Sequence, residues 1–208
     1  LGPFATDEMV EQLRETLHLN ESIFIQYGIF IEKLFQGDLG ISTYTKRPVL
    51  VDIVSYFPAT FELVLMSGLL MILIGMPLGI LSGKFKNSII DNVARLISLL
   101  GVVTPSFLWA IILMLIFAFW FPILPVSERM NEALDPPTLV TGLLLVDSLL
   151  EGNFKVFGDA FLHLILPGLA IALPAIGNVA RLTRTNLSDV YEKQYIEFAK
   201  SYSFSEYR

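Results

Sequence analysis

The residues that could do chemistry in this 208-residue sequence are few, and none is set up as a reagent. There is no cysteine, which excludes a disulfide framework, a thiolate nucleophile and a cysteine metal cluster. The two histidines, His18 and His163, stand far apart without ligand-like spacing. Ser106 follows Pro105 but has no nearby base to activate its hydroxyl. Gly79-Ile80-Leu81-Ser82-Gly83-Lys84-Phe85 approaches a phosphate loop. Its glycines are one residue too close, however, and Phe85 stands where a Ser or Thr is required. No catalytic residue, cofactor or metal is therefore expected. What remains is recognition: Glu62, Thr104, Pro105, Ser106 and His163 are candidates for a solute pathway or gate. Asp38 and Asp147 belong to the same group, and for all these acids and the histidine helix caps and loop turns are the competing role.

The elements that would position these residues belong to a membrane protein. The sequence is 54% hydrophobic and only 16% charged, with a mean hydropathy of +0.64. Soluble domains carry about a quarter charged residues. A net charge of −6 argues against a nucleic-acid partner, which requires a basic surface.

Three uncharged runs can cross a bilayer: Leu63 to Gly83, Leu96 to Ser127 and Ala160 to Ala180. They predict spans over 60–83, 98–121 and 163–181. Gly75, Gly79 and Gly83 recur every fourth residue in the first, a stripe of small residues that lets another helix approach closely. Pro77 implies a kink there, Thr104-Pro105-Ser106 a bent entry to the second span, and Pro167 and Pro174 breaks in the third. The segment 1–58 reads as aqueous or interfacial, with a short helix capped by Thr6 and a second over roughly 22–35 that is too short to span. Gly37 to Gly40 is a turn.

Orientation follows from the bases. The loop 84–95 holds three bases and one acid, and Arg181 and Arg184 follow the third run. The segment 1–58 holds four bases and eight acids, and 128–159 two bases and six acids. The positive-inside rule places 84–95 and 182–208 in the cytoplasm and 1–58 and 122–162 outside.

On the cytoplasmic side, residues 186–203 read as an amphipathic helix. Leu187, Val190, Tyr191, Tyr195, Phe198, Ala199 and Tyr202 recur at spacings of three and four. The uncharged cores contain no Asp, Glu, Lys or Arg, whereas a carrier coupled to protons or sodium keeps ionisable groups at mid-membrane. Kinked helices without coupling charges, a nucleotide site or catalytic residues predict a pore-forming subunit driven by a separate cytoplasmic partner. A secondary carrier or channel subunit is the alternative.

The sequence resembles the inner-membrane components of binding-protein-dependent ABC transporters, in the dipeptide and oligopeptide branch. Leu1-Gly2-Pro3, Gly37-Asp38-Leu39-Gly40, Pro58-Ala59-Thr60-Phe61-Glu62-Leu63 and Gly75-Met76-Pro77-Leu78-Gly79 carry the likeness. So do Thr104-Pro105-Ser106-Phe107, Thr141-Gly142 through Asp147, His163 to Pro167 and Ala180 to Arg184. The resemblance implies an all-α polytopic permease core of the type I importer kind, lacking here its first and last transmembrane helices. It also implies four kinds of neighbour: a second permease subunit, two cytoplasmic ATPases, an extracytoplasmic solute-binding protein and membrane lipid.

The family's cytoplasmic loop has the pattern Glu-Ala-Ala-x-x-x-Gly and seats a coupling helix in the ATPase. Glu197 and Ala199 match it, whereas Phe198 and Ser203 replace an Ala and the Gly. Tyr191, Glu192 and Tyr195 belong to the same implied ATPase-coupling segment.

Overall fold

The computed structural model describes residues 6–16, 18–194, 196 and 198. The chain divides into two compact units, Leu1–Phe57 and Pro58–Arg208. Among the described residues the regular structure is helical, apart from one isolated bridge between Ile41 and Pro48.

In the first unit, α1 (Asp7–Thr16) is capped by Thr6, whose hydroxyl accepts from the Met9 amide at 3.4 Å. Helix α2 (Ile23–Phe35) is apolar almost all round and buries none of its residues. Gly37 and Gly40 take left-handed φ values of 81° and 75°, and Asp38 accepts from the Gly40 amide at 2.9 Å, closing the turn. Asp52 then pairs with Arg47 at 2.9 Å and accepts from the Thr45 hydroxyl.

The first and third apolar helices run longer than their uncharged runs. Helix α3 (Val49–Leu70) continues through a π-segment (Met71–Gly75) into α4 (Met76–Lys84), a continuous 36-residue candidate span. Pro58 lies inside α3, not before it. The irregularity associated with Pro77 falls in the π-segment just before it: the proline, at the start of α4, has no amide to give to the preceding turn.

The second run carries the bend expected at Thr104 to Ser106, and its helices cover 89–120 where 98–121 was expected. It is a pair, α5 (Ile89–Val103) and α6 (Ser106–Met114, extended by a π-segment Leu115–Trp120), bent by 111° at Thr104 and Pro105. Proline pushes Thr104 to an extended ψ of 125° and itself becomes the cap of α6. After a short α7 (Leu144–Leu150), α8 (Phe154–Tyr191) runs unbroken for 38 residues through Pro167 and Pro174. Among the described residues there are thus two helices able to cross a membrane by length and composition, or three if the bent pair counts as one.

Helix α8 is the axis of the second unit: α4, α5, α6 and α7 all pack on it. At the end of the π-segment Gly75 faces Ile176 and Val179, and on α4 Gly79 faces Ala180 and Thr183 and Gly83 faces Arg184 and Leu187. The partner advances along α8 as the glycine advances along α4, so the two helices are parallel. On α5 the order reverses: Asp91 meets Arg184, Gly177 meets Ser98, and Gly101 meets Leu173. Leu113 of α6 then clusters with Leu166 and Ala170. Measured against α8, the bent pair therefore returns from the Lys84 end to the opposite end despite its bend. Two parallel helices need such a return between them.

The approaches are backbone-close. A Cβ on Gly79 would sit 2.6 Å from the Ala180 carbonyl oxygen, and one on Gly177 would sit 2.4 Å from that of Ser98. Only glycine permits these contacts, and dispersion at short range takes the place of a hydrophobic drive that lipid does not supply.

Candidate functional site

Three groups of polar side chains are positioned by α8. The first lies at the Lys84 end. Asp91, fully buried in the first turn of α5, accepts from Arg184 Nε at 2.6 Å and Nη2 at 2.9 Å. It also accepts from the Ser82 hydroxyl at 2.6 Å and the Asn87 amide at 2.9 Å, so both carboxylate oxygens are filled. Asn87 sits at a left-handed φ of 63° to make this turn. Ser88 caps α5, accepting from the Asp91 amide at 3.2 Å.

One layer further along, Lys86 donates to Glu192, the residue that ends α8. That hydrogen bond, with the charge of Lys86, holds the Glu192 carboxyl below its usual range. Together these contacts tie α4, the 85–88 turn, α5 and the last turns of α8 into one body.

The second group is the bend. Gly101 touches α8 at Leu173, between Arg184 and His163, so Thr104, Pro105 and Ser106 interrupt the helix near mid-depth of a stretch that rises about 31 Å. Thr104 is half-buried, and Pro105 and Ser106 are exposed. Non-helical backbone at such depth is tolerated where protein or a water-filled cavity satisfies it.

The third group is at the Pro58 end. Glu62, 6% exposed, accepts from Arg129 Nη2 at 2.6 Å and from the Leu145 amide at 2.7 Å. Asp147 is buried and accepts from the amides of Val140, Thr141 and Gly142 and from the Thr141 hydroxyl at 2.7 to 3.2 Å. Burial pushes its carboxyl up, but these hydrogen bonds outweigh burial and hold it below the ordinary value. Glu62 and Asp147 thus have the geometry of a tie and a loop turn. His163 Nδ1 lies 2.8 Å from the Asp159 carbonyl oxygen, and Asp159 itself accepts from the Asn131 amide at 2.7 Å.

Of residues 186–203, the structure describes 186–194, 196 and 198. Asn186 to Tyr191 are the last turns of α8, and the chain turns at Glu192 and Lys193 before helix resumes at Gln194. Tyr191 is half-buried, and Phe198 is 63% exposed. Tyr195, Glu197, Ala199 and Ser203 lie outside the described residues.

In the sequence, Asp91, Arg181 and Arg184 serve for orientation, and Arg181 and Arg184 also for the family likeness, with no pairing among them. Asp91, as the lone acid among the bases of 84–95, was the available signal for a pairing. Arg129 was likewise the nearest base to an acidic stretch. Gly101 and Gly177, isolated in sequence, gave no periodic signal.

Residues 75–208 match the model of a family described as "Binding-protein-dependent transport system inner membrane component". The chain is 42% identical over 96% of its length to the "Probable D,D-dipeptide transport system permease protein" of Escherichia coli K12, covering 59% of that protein. It is 36% identical over 94% of its length to a dipeptide transport system permease protein of Alkalihalophilus pseudofirmus, again covering 59%. A dipeptide transport system permease protein of E. coli K12 is 31% identical over 91% of the chain, which covers 57% of it. The chain therefore spans somewhat over half the length of these relatives.

Proposed function

Since the chain belongs to the family of binding-protein-dependent transport system inner membrane components, we propose that it is the greater part of a permease subunit of an ATP-driven importer for di- or oligopeptides. The subunit forms half of a translocation pathway with a second permease subunit. Two cytoplasmic ATPases drive it, and an extracytoplasmic solute-binding protein loads it. The permease itself performs no catalysis. The names of its relatives, which refer to dipeptides, support the substrate class.

The observation that carries this reading is the body at the Lys84 end. Force applied to the segment beyond Lys193 reaches Glu192 and Tyr191 first. The Asp91–Arg184 and Lys86–Glu192 contacts then spread it to α4, α5 and α8 together. A coupling segment needs such a rigid receiver to convert ATPase closure into a two-state movement of helices. The basic residues of this end place it in the cytoplasm, with the Glu62–Asp147 end outside. Tyr191, Glu192, Tyr195, Glu197, Phe198, Ala199 and Ser203 form the coupling segment. Thr104, Pro105 and Ser106 line the pathway at mid-depth and His163 its outer mouth, while Glu62 ties the outer loop. Gly75, Gly79 and Gly83 hold α4 to α8.

Uptake of a labelled dipeptide into proteoliposomes holding the full-length permease pair and its ATPases tests this. Uptake is expected only with binding protein outside and ATP inside. Uptake that persists without the ATPases and collapses with an ionophore would establish a secondary carrier instead.

A further inference from the structure

Two cavities of about 230 and 270 Å³ at the Pro58 end share Glu128, His163 and Pro167. Each is smaller than the roughly 300–1,000 Å³ sites that engulf a drug-sized ligand, so they suit one end of a molecule. Three features of their lining point to the same chemistry.

The imidazole of His163 is the first. Its side chain is only 8% exposed, and Nδ1 lies 2.8 Å from the Asp159 carbonyl oxygen and 3.4 Å from the Asp159 carboxylate. A carbonyl can only accept, so Nδ1 carries the hydrogen, and in the neutral ring Nε2 is an acceptor. Among the described residues nothing donates to that Nε2. Glu128 is the second: it is exposed at the rim of both cavities, and its carboxylate has no ion-pair or hydrogen-bond partner among the described residues. Its backbone sits at a left-handed φ of 62°, which an L side chain adopts reluctantly. The third is charge. Arg129, which lines the smaller cavity, is neutralised by Glu62 at 2.6 Å. Among the described residues this leaves the Glu128 carboxylate and His163 Nε2 as the groups of the lining without a partner.

We infer that Glu128 and His163 Nε2 form a site for a primary ammonium, the α-ammonium of an entering peptide, with Glu128 supplying the counter-charge and His163 accepting one N–H. This rests on the peptide-importer reading and adds to it the end of the substrate that the permease grips. A bare metal ion is a poorer occupant, because no group of three or more metal-ligating side chains exists among the described residues. The excess of six acids over two bases in 128–159 concentrates cations at this end, which favours ammonium-first entry.

The test uses the full-length permease–ATPase complex in lipid nanodiscs without binding protein, with ligand binding followed by saturation-transfer NMR. Ala-Ala is expected to bind saturably, with N-acetyl-Ala-Ala at least tenfold weaker on the same wild-type complex. Glu128→Gln should weaken Ala-Ala binding by a similar factor, and Glu128→Asp should retain most of it. No saturable binding of Ala-Ala by the wild type, or equal binding by Glu128→Gln, overturns the assignment. N-acetyl-Ala-Lys binding as well as Ala-Ala would also overturn it, since the site would then take any ammonium. The dipeptide-uptake assay separates the two levels. Wild-type import together with any of these adverse results removes only the ammonium site, whereas absence of wild-type import removes the importer reading itself.

Discussion

Asp91 of α5 and Arg184 of α8, 93 positions apart, share a two-point hydrogen-bonded ion pair at 2.6 and 2.9 Å, with the carboxylate wholly shielded from solvent. Shielding makes the pair asymmetric in its consequences. Intact, it offsets its own desolvation; broken, it leaves a buried charge.

Arg184→Gln is therefore expected to be the most damaging single change at this end, at about 3–5 kcal/mol, the usual loss when one partner of a buried pair is removed. Asp91→Asn should cost less, because its one oxygen can still accept from the Asn87 amide while the Ser82 hydroxyl, which faces the other branch, can turn to accept from the new amide. Adding Asp91→Asn to Arg184→Gln should recover part of the loss. Thermal denaturation of the full-length protein in detergent measures all three. Equal midpoints for Arg184→Gln and wild type would show that the pair is dispensable.

At the α4–α8 contact, Gly79→Ala places a methyl group 2.6 Å from both the Ala180 carbonyl oxygen and Thr183 Cβ, so the helices must separate. Overpacking of this kind costs about 1–3 kcal/mol. Gly68→Ala and Gly158→Ala, helical positions with nothing within 4 Å of the added atom, should be neutral or stabilising by a few tenths to about 1 kcal/mol. A melting comparison of the three variants distinguishes contact glycines from incidental ones.

Asp147 gives a pH dependence with a definite sign. Its carboxyl titrates lower in the folded protein than the ordinary value of 3.8. Its contribution is therefore fully present above 3.8 and is lost as pH falls through the lower folded value. The loop 140–143 should become protease-sensitive under acid in the wild type. Asp147→Ala should make it sensitive already at pH 7, and Thr141→Val should do so less, since only one of the bonds is lost. Protection of this loop in Asp147→Ala at neutral pH would contradict the turn's dependence on the carboxylate.

For the coupling segment, Glu197→Lys, or Asp at both Tyr195 and Phe198, is expected to abolish peptide uptake and co-purification of the ATPase while the permease still inserts. Lys86→Ala should change stability by less than about 1 kcal/mol, because Lys86 and Glu192 are both largely exposed. Normal ATPase co-purification with the Glu197 or Tyr195/Phe198 variants would remove the docking role.

Sidedness can be read with a single introduced thiol in an otherwise cysteine-free full-length protein. Lys193→Cys should react with an impermeant reagent only from the cytoplasmic face, and Glu151→Cys only from outside. Labelling of Lys193→Cys in intact cells would invert the whole arrangement.

The sequence by itself determined the class of the protein, because hydropathy and charge act locally. Uncharged runs as long as a bilayer is thick must be helices in lipid, and the bases gathered in 84–95 and after Ala180 predict an orientation without reference to any contact. It also placed the Thr104-Pro105 bend and the Gly37 to Gly40 turn, since proline and glycine restrict or free their own backbones. The tertiary structure alone decided where each helix begins and ends, which the uncharged runs did not mark. It alone revealed the partners: Arg184 for Asp91, Arg129 for Glu62, the carbonyl of Ser98 for Gly177, and the cavities that bring Glu128 to His163. Such pairings depend on which faces of distant helices meet, and that is set by shape complementarity between residues with no shared periodicity in the chain.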